Sequence, residues 1–556
     1  MKKLFVIIIL GVLVVAGLAA TGKPDSGTPY GSATAASPRD PFGKMPQLVV
    51  FTTGRPKAED PKMPPGEDPE NNDLVKFVQD QINVKPQIIW TASSQGYAYE
   101  SKINLLIASA DIPDVLEINA LPYGMTILKK LVTNDMIQDL TRVYADYASP
   151  SFKAHHAAAG NAALKTVTFS GKLMALPNVS DTESSFQLTW IRKDWLDKLK
   201  LQPPKTVDDV AAIAKAFIER DPDGNGKNDT YGILGSSELY RGATDTFEWL
   251  FNAYKAFPGD WIKDAKGNVV YGSITPETRA ALAKLASLYS RGLIDKEFAL
   301  KDGSKTNELL ISGKAGIQGN AWWAPWWPLN TAIQNDWSAQ WYTYGIAAAD
   351  GNYYYRATLP TSAFMVIKKG FKYPEALMKA INIQQQASVE RAYPWYDALT
   401  ASGGKYSALA TNFWPAGIGA TYFDEISRRW KVIKSVIDGK ATLESIDPQA
   451  KQIYEQMKPD MDNPEKHLLD SWTYNVAWSH GADVLLQHPY KMSMPAFAGV
   501  TDTMVKKMTP MTDLEISTFT NIIMGKQPIT AFDDFVTQWK SMGGDDITKE
   551  VNDLVK

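Results

Sequence analysis

Residues 221–232 read Asp-Pro-Asp-Gly-Asn-Gly-Lys-Asn-Asp-Thr-Tyr-Gly. Side-chain oxygens fall at loop positions 1, 3, 5 and 9, as Asp221, Asp223, Asn225 and Asp229, and Lys227 at position 7 can offer its backbone carbonyl. Gly226 stands at position 6, where such a loop must turn sharply. This is the spacing of an EF-hand loop, which gathers hard oxygens around calcium. Gly232 replaces the bidentate Glu of position 12, and the sequence holds no second loop of the kind. The pattern therefore predicts a structural calcium clip, completed by water or by a distant side chain. A sensor would use paired hands and move helices through its position-12 ligand. The competing reading is a polar, Asx-rich turn without metal.

The second chemical signal is aromatic. Residues 321–328, Ala-Trp-Trp-Ala-Pro-Trp-Trp-Pro, place Trp322, Trp323, Trp326 and Trp327 within one short proline-broken stretch. Such a stretch cannot form one regular helix or strand. Tyr353-Tyr354-Tyr355 and Pro394-Trp395-Tyr396 form further clusters, and Trp414, Trp430, Trp472 and Trp478 follow. The apolar faces of pyranose rings stack on indoles while rim hydroxyls need polar partners, so an aromatic groove with a few polar groups is a glycan site. The competing reading is that each indole packs a core or a lobe interface.

The rest of the chain must position these groups. Its 556 residues exceed a single domain and predict at least two lobes. A formal charge of −3 leaves no basic excess for nucleic acid. Cysteine is absent, which removes disulfides, thiolate metal sites and cysteine nucleophiles. Lys2 and Lys3 precede an apolar run from Leu4 to Val15 and then small residues, the pattern of an export signal over residues 1–22, with an uncleaved anchor helix as the alternative. Residues 23–46, rich in Gly, Pro, Ser, Thr and Ala, read as a flexible tether.

Gln47–Thr52, Gln87–Thr91 and Asp114–Ile118 read as strands, and Asp73–Ile82 and Tyr99–Ala110 as the helices between them. That alternation predicts an α/β body with a parallel component, with ligand-facing loops at Thr52–Arg55 and Asn119–Tyr123. Further helices are expected over Thr206–Glu219, Pro276–Arg291, Tyr373–Gln386, Phe423–Ile437 and Asp513–Gly525. His155 and His156, as neighbours on a helix, make a poor metal pair and read as surface residues. No His-Glu-x-x-His, Gly-x-Ser-x-Gly or phosphate loop occurs. A secreted, calcium-dependent polysaccharide-degrading enzyme would need paired carboxylates, which sequence alone leaves open.

Several segments, in order, resemble the family 1 extracellular solute-binding proteins of carbohydrate ABC importers. They are Ile103–Val115, Gly171–Pro177, Trp190–Leu199, Asp221–Gly232, Gly292–Phe298 and Ile522–Asn552. The likeness is to the long, lipoprotein-type subgroup, which includes alginate- and uronate-oligosaccharide-binding proteins, and it spans roughly 47–556. Leu18-Ala19-Ala20-Thr21-Gly22 is similar to the lipobox of such lipoproteins, but Thr21 stands where the lipid-bearing Cys belongs.

The resemblance implies a two-lobed α/β fold of the maltose-binding-protein type with several crossings. It implies an exported, monomeric, non-catalytic receptor that hands an oligosaccharide to membrane permease subunits. One lobe is expected over 47–187 plus 361–485, the other over 188–360 plus 486–556. The ligand is expected between the lobes on Trp322, Trp323, Trp326, Trp327, Trp395 and Trp472, with polar help from Asn119, Arg391 and Asp424. Several indoles imply several subsites, hence an oligomer. Arg391 and Arg356 could meet a uronate carboxylate bidentately, or could equally serve in surface or hinge salt bridges.

Overall fold

The computed structural model describes residues 39–57, 64–93, 98–240, 244–400, 404–406 and 414–555. The export segment and most of the expected tether lie outside the described residues. The chain divides into two compact units. The first takes Met1–Asn119, Ile127–Val179 and Ala363–Thr421, and the second Ala120–Thr126, Ser180–Ser362 and Tyr422–Lys556.

In the first unit, strand Val49–Lys57 pairs in parallel with Val84–Ser93 on one side and Val115–Asn119 on the other. Ala363–Ile367 then adds antiparallel to Val115–Asn119, and Leu176–Pro177 closes the five-stranded sheet. Helix Asp73–Ile82 begins where the Asn72 side chain accepts the backbone N–H groups of Leu74 and Val75 at 3.0 Å. It buries Leu74, Val75, Val78 and Ile82, and ends at Asn83 in the left-handed region with φ 57°. Strand Val84–Ser93 starts on the next residue.

The loop expected at Thr52–Arg55 is instead continuous strand. Its one irregularity is a register shift between Thr53 and Gly54. A Cβ on Gly54 would lie 2.0 Å from the Trp90 ring, so only glycine fits there.

The last residues of the expected tether also belong to this unit. Lys379 Nζ donates to the Gly43 carbonyl at 2.7 Å and Asn382 Nδ2 to the Pro41 carbonyl at 2.9 Å. Met45 is buried and its N–H bonds to the Ile82 carbonyl. An apolar plug and satisfied carbonyls fix what composition alone reads as linker. The histidines differ from expectation as well: His155 and His156 are both buried, because their helix packs through Phe152 and His156.

The second unit is built on a four-stranded sheet in the order Trp341–Tyr344, Leu188–Arg192, Ala315–Asn320, Tyr231–Ile233. Its main core gathers Ile191, Trp195, Phe217, Trp249, Leu285 and Phe519 with many smaller apolar groups. Helix Val207–Glu219 starts from a reciprocal capping box between Thr206 and Asp209 and leads straight into the oxygen-rich loop. The helix expected at Asp513–Gly525 is longer, Asp502–Ile523, because Thr501 caps it a full three turns earlier. Its buried Glu515 accepts hydrogen bonds from the hydroxyls of Tyr240, Tyr271 (2.9 Å) and Ser273 (2.7 Å).

The chain passes between units near Asn119/Ala120, Thr126/Ile127, Val179/Ser180, Ser362/Ala363 and Thr421/Tyr422. The last of these corrects the expected layout, which kept 361–485 together in the first lobe. Residues 422–485 belong to the second unit because helix Glu425–Ile437 buries Ile426, Trp430 and Ile433 against Phe186, Leu188, Trp322 and Trp478. Amphipathic spacing shows that a helix has a buried face but not which core covers it. Among the described residues no helix is long and apolar enough to cross a membrane.

Candidate functional site

The oxygen-rich loop keeps its polar atoms together. Asp221 carries φ 45°, and Gly224 and Gly226 carry φ 74° and 76°, so the chain turns three times within six residues. The Asp221 carboxylate accepts the N–H groups of Asn225 and Gly226, each at 3.0 Å. Asn225 Nδ2 donates to Asp223 at 2.8 Å and to Asp229 at 2.9 Å. The carboxyls of Asp221 and Asp223 also face each other. Their shared hydrogen bond holds Asp221 below the usual carboxylate range, while burial and that same neighbour push Asp223 up. Lys314 pairs with Asp229 at 3.2 Å.

Position 12 is closed to any side chain, since a Cβ on Gly232 would lie 2.4 Å from the Leu293 carbonyl. Strand pairing, not metal chemistry, decides the missing Glu. Among the described residues no group of three or more His, Cys, Asp or Glu side chains is assembled as a metal cage.

The tryptophan stretch leaves the end of strand Ala315–Asn320 in the second unit. Trp190 Nε1 donates to the Ala321 carbonyl at 2.9 Å and fixes its start. Ala324–Trp326 makes a single 3-10 turn. Trp322 is buried, edge-on to Trp326 at 5.3 Å and tilted on Trp478 at 4.7 Å. Trp326 meets Tyr474 edge-on at 5.1 Å. Gly481 lets the neighbouring helix approach, as its Cβ would fall 2.4 Å from the Trp322 carbonyl.

Ser184 binds both leading indoles: Trp322 Nε1 reaches its hydroxyl at 3.4 Å and Trp323 Nε1 its carbonyl at 3.1 Å. Trp323 and Trp326 are half-buried, and Trp327 is 47% exposed.

The other expected ligand residues are distributed over both units. Trp472 is buried in a core with Trp190, Leu329 and Trp341, so its ring serves packing in the second unit. Asp424, also in that unit, is ion-paired with Arg428 at 3.0 Å. In the first unit, Trp395 is 36% exposed and rests edge-on against Phe77 at 4.6 Å. Arg391 lies over the Tyr396 ring at 5.9 Å, and Asn119 is an exposed residue at the end of its strand. Arg356 already has its carboxylates: it binds Asp260 through two nitrogens at 2.7 and 2.6 Å and lies 3.5 Å from Glu248.

Sequence reasoning missed two groups. One is Asp181–Ser184, where Ser184 holds both leading indole N–H groups and its hydroxyl donates to Asp181. The other lies at the carboxyl ends of the parallel strands of the first unit, where ligands of open α/β sheets are met. There Arg55 is buried and donates to the Trp414 and Pro415 carbonyls, the latter at 2.8 Å. Tyr99 bonds the Gly54 and Glu117 carbonyls. Burial pushes Glu117 up, and the Arg55 charge partly offsets this. Arg55 and Glu117 each read in sequence as one charge on a strand, a signal that gains meaning only when its partner is known.

The family model described as bacterial extracellular solute-binding protein matches residues 74–385, more than half of the chain. The chain belongs to that family, and is a binding protein and not an enzyme. Lipoprotein LipO of Bacillus subtilis (strain 168) is 24% identical over 502 residues, covering 89% of this chain and 90% of LipO. The polygalacturonan/rhamnogalacturonan-binding protein YtcQ of the same organism is 28% identical over 249 residues, covering 45% of this chain and 46% of YtcQ. Among solved structures, the Streptococcus pneumoniae ABC-transporter substrate-binding protein FusA in complex with kestose has a TM-score of 0.55 at 19% identity. It covers 91% of this chain and 99% of FusA. An EF-hand mutant of FusA in complex with fructo-nystose gives a TM-score of 0.54 at 18% identity, covering 91% and 99%. The fold is the two-lobed α/β fold of these binding proteins.

Proposed function

We propose that this chain is the receptor of an ABC importer, taking an oligosaccharide outside the cell and delivering it, as a monomer, to permease subunits in the membrane. The observation that carries this reading is the tryptophan band of the second unit, with its indole N–H groups anchored inward on Ser184 and Trp327 open to solvent. Indole faces cover sugar rings, and nearby carboxyls and amides return the hydrogen bonds that ring hydroxyls lose on leaving water. Relatives named for polygalacturonan and for fructooligosaccharide support a carbohydrate, and they span acidic and neutral chains. A tryptophan-fluorescence titration with neutral and acidic oligosaccharides should give saturable quenching. Flat titrations with every glycan, and a response to peptides instead, would overturn the assignment.

We propose also that Asp221, Asp223, Asn225, Asp229 and the Lys227 carbonyl hold a structural calcium. Two carboxyls facing each other beside a third favour a divalent cation between them. The pneumococcal relative studied as an EF-hand mutant supports the same chemistry. Calcium at a hundredfold excess over its Kd would add about 2.7 kcal/mol to the stability of the second unit. The melting temperature should fall in excess chelator, recover with calcium, and ignore both in Asp223→Asn. Identical melting with chelator and with calcium would make the loop a plain polar turn. The export signal fits a family described as extracellular. With Thr21 in the lipobox, Thr21→Cys should gain incorporation of labelled fatty acid in a bacterial host.

A further inference from the structure

We propose that Asn225-Gly226 is a self-modifying site, where the asparagine loses its side-chain amide as ammonia and becomes aspartate or isoaspartate. The reaction needs no reagent but water, and it stands apart from the question of calcium.

Asparagine followed by glycine meets the least steric resistance to this reaction, since no side chain shields the attacking backbone nitrogen. Residues 225–226 are the one such pair in the 556-residue sequence. Both are exposed, so water reaches them. Gly226 carries φ 76°, and a Cβ placed on it would meet no atom within 4 Å, so nothing crowds that side of its peptide.

Ring closure joins Gly226 N to Asn225 Cγ and then breaks the bond from Cγ to Nδ2. Each atom that takes part has a partner of the right kind. The Gly226 N–H donates to Asp221 Oδ2 at 3.0 Å. A carboxylate on this N–H draws the proton from the nitrogen and makes it the better nucleophile. The Lys227 N–H donates to Asn225 Oδ1 at 2.8 Å. That bond folds the carboxamide back over the peptide it must meet, as in an Asx turn, and polarises the carbonyl whose oxygen gains charge when the nitrogen adds. Nδ2, the leaving nitrogen, donates to Asp223 at 2.8 Å and to Asp229 at 2.9 Å. The side chain is thereby held in one orientation, which removes part of the entropy cost of closing the ring.

The proton of Gly226 ends on the departing nitrogen, which leaves as ammonia. The succinimide that remains takes up one water. Opening at one carbonyl gives aspartate at 225, and opening at the other gives isoaspartate, with the main chain running through the side-chain carbonyl. Either product adds one carboxylate to a loop that already holds Asp221, Asp223 and Asp229. The other asparagine of the loop, Asn228, is followed by Asp229, whose side chain shields the nitrogen.

The full-length chain is kept in neutral buffer with excess chelator, beside a synthetic peptide of residues 220–231, and both are mapped over time by mass spectrometry for the amide-to-acid mass gain. The expected result is conversion at Asn225 at least threefold faster in the folded chain than in the peptide, with Asn228 unchanged. Asp221→Asn, shown to be folded by its melting temperature, should fall to the rate of the peptide. The comparison of chain with peptide needs no variant, so it decides the matter if Asp221→Asn does not fold. A chain that converts no faster than the peptide would mean that the same bonds protect the asparagine, and would overturn the inference. A wild-type rate in folded Asp221→Asn would overturn it as well. Calcium in place of chelator should slow the conversion, because an ion on these oxygens takes Asn225 Oδ1 from the Lys227 N–H. An equal rate in calcium would remove Asn225 from the calcium ligands while the modification stands.

Discussion

Acidification from pH 7 to 4 should destabilise the first unit by about 3 kcal/mol through one imidazole, His156. The ring is fully buried between Phe152, at 4.8 Å, and Tyr144, at 5.7 Å. Neither ring nitrogen meets hydrogen-bond geometry, although the Pro177 carbonyl is near enough to help slightly. Burial therefore pushes its pKa down to about 4, against 6.5 for a free imidazole. Between these values the unfolded chain binds the proton and the folded chain refuses it. The stability is fully present above pH 6.5, declines as pH falls to about 4, and is lost no further below. His480 in the second unit, stacked on Tyr342 at 3.8 Å and also pushed down to about 4 by burial, acts on that unit in the same direction. Denaturant melts at pH 7, 5.5 and 4 of wild type and His156→Phe check this, since carboxylate titrations are common to both. Equal pH slopes for the two proteins would remove the imidazole from the account.

Arg356→Met should destabilise the second unit by about 3–5 kcal/mol at pH 7. The guanidinium makes a two-nitrogen bond to Asp260 and reaches Glu248, whose side chains are 10% and 8% exposed. Removing the cation strands two carboxylates where water scarcely reaches them. Glu248 is already pushed up to about 7, mainly by burial and despite the arginine, so it would take a proton in the variant. The loss should therefore shrink as pH falls below about 7, where Glu248 takes its proton. Thermal melts of the variant at pH 7 and pH 5 measure both parts. A change under 1 kcal/mol at pH 7 would mean that the cluster contributes little beyond packing.

Local rules made much of the chain legible. The Asn72 cap and the apolar spacing of Leu74, Val78 and Ile82 specify helix Asp73–Ile82 to the residue, because a cap and a 3.6-residue stripe act within a few positions. The Thr206–Asp209 box does the same for the helix before the oxygen-rich loop. Six ordered segments of the family pattern were readable too, since each is a local chain signature.

What the sequence could not show is which partner each surface meets. Helix Glu425–Ile437 was recognisable, but its assignment to the second unit depends on Phe186, Leu188 and Trp322, more than a hundred residues upstream. Arg356 could have met a sugar carboxylate or served in a salt bridge, and only Asp260 and Glu248 beside it decide for the salt bridge. His156 looked exposed until Phe152 and Tyr144 covered it. By itself the sequence determined helix Asp73–Ile82 and the strand–helix alternation around it, the oxygen spacing at 221–229 and the tryptophan run, because those depend on dihedral preferences and short spacings. Only the tertiary structure decided burial, ion-pair commitment and the anchoring of Trp322 and Trp323 on Ser184, because desolvation and Coulomb energies depend on distance in space and not on separation along the chain.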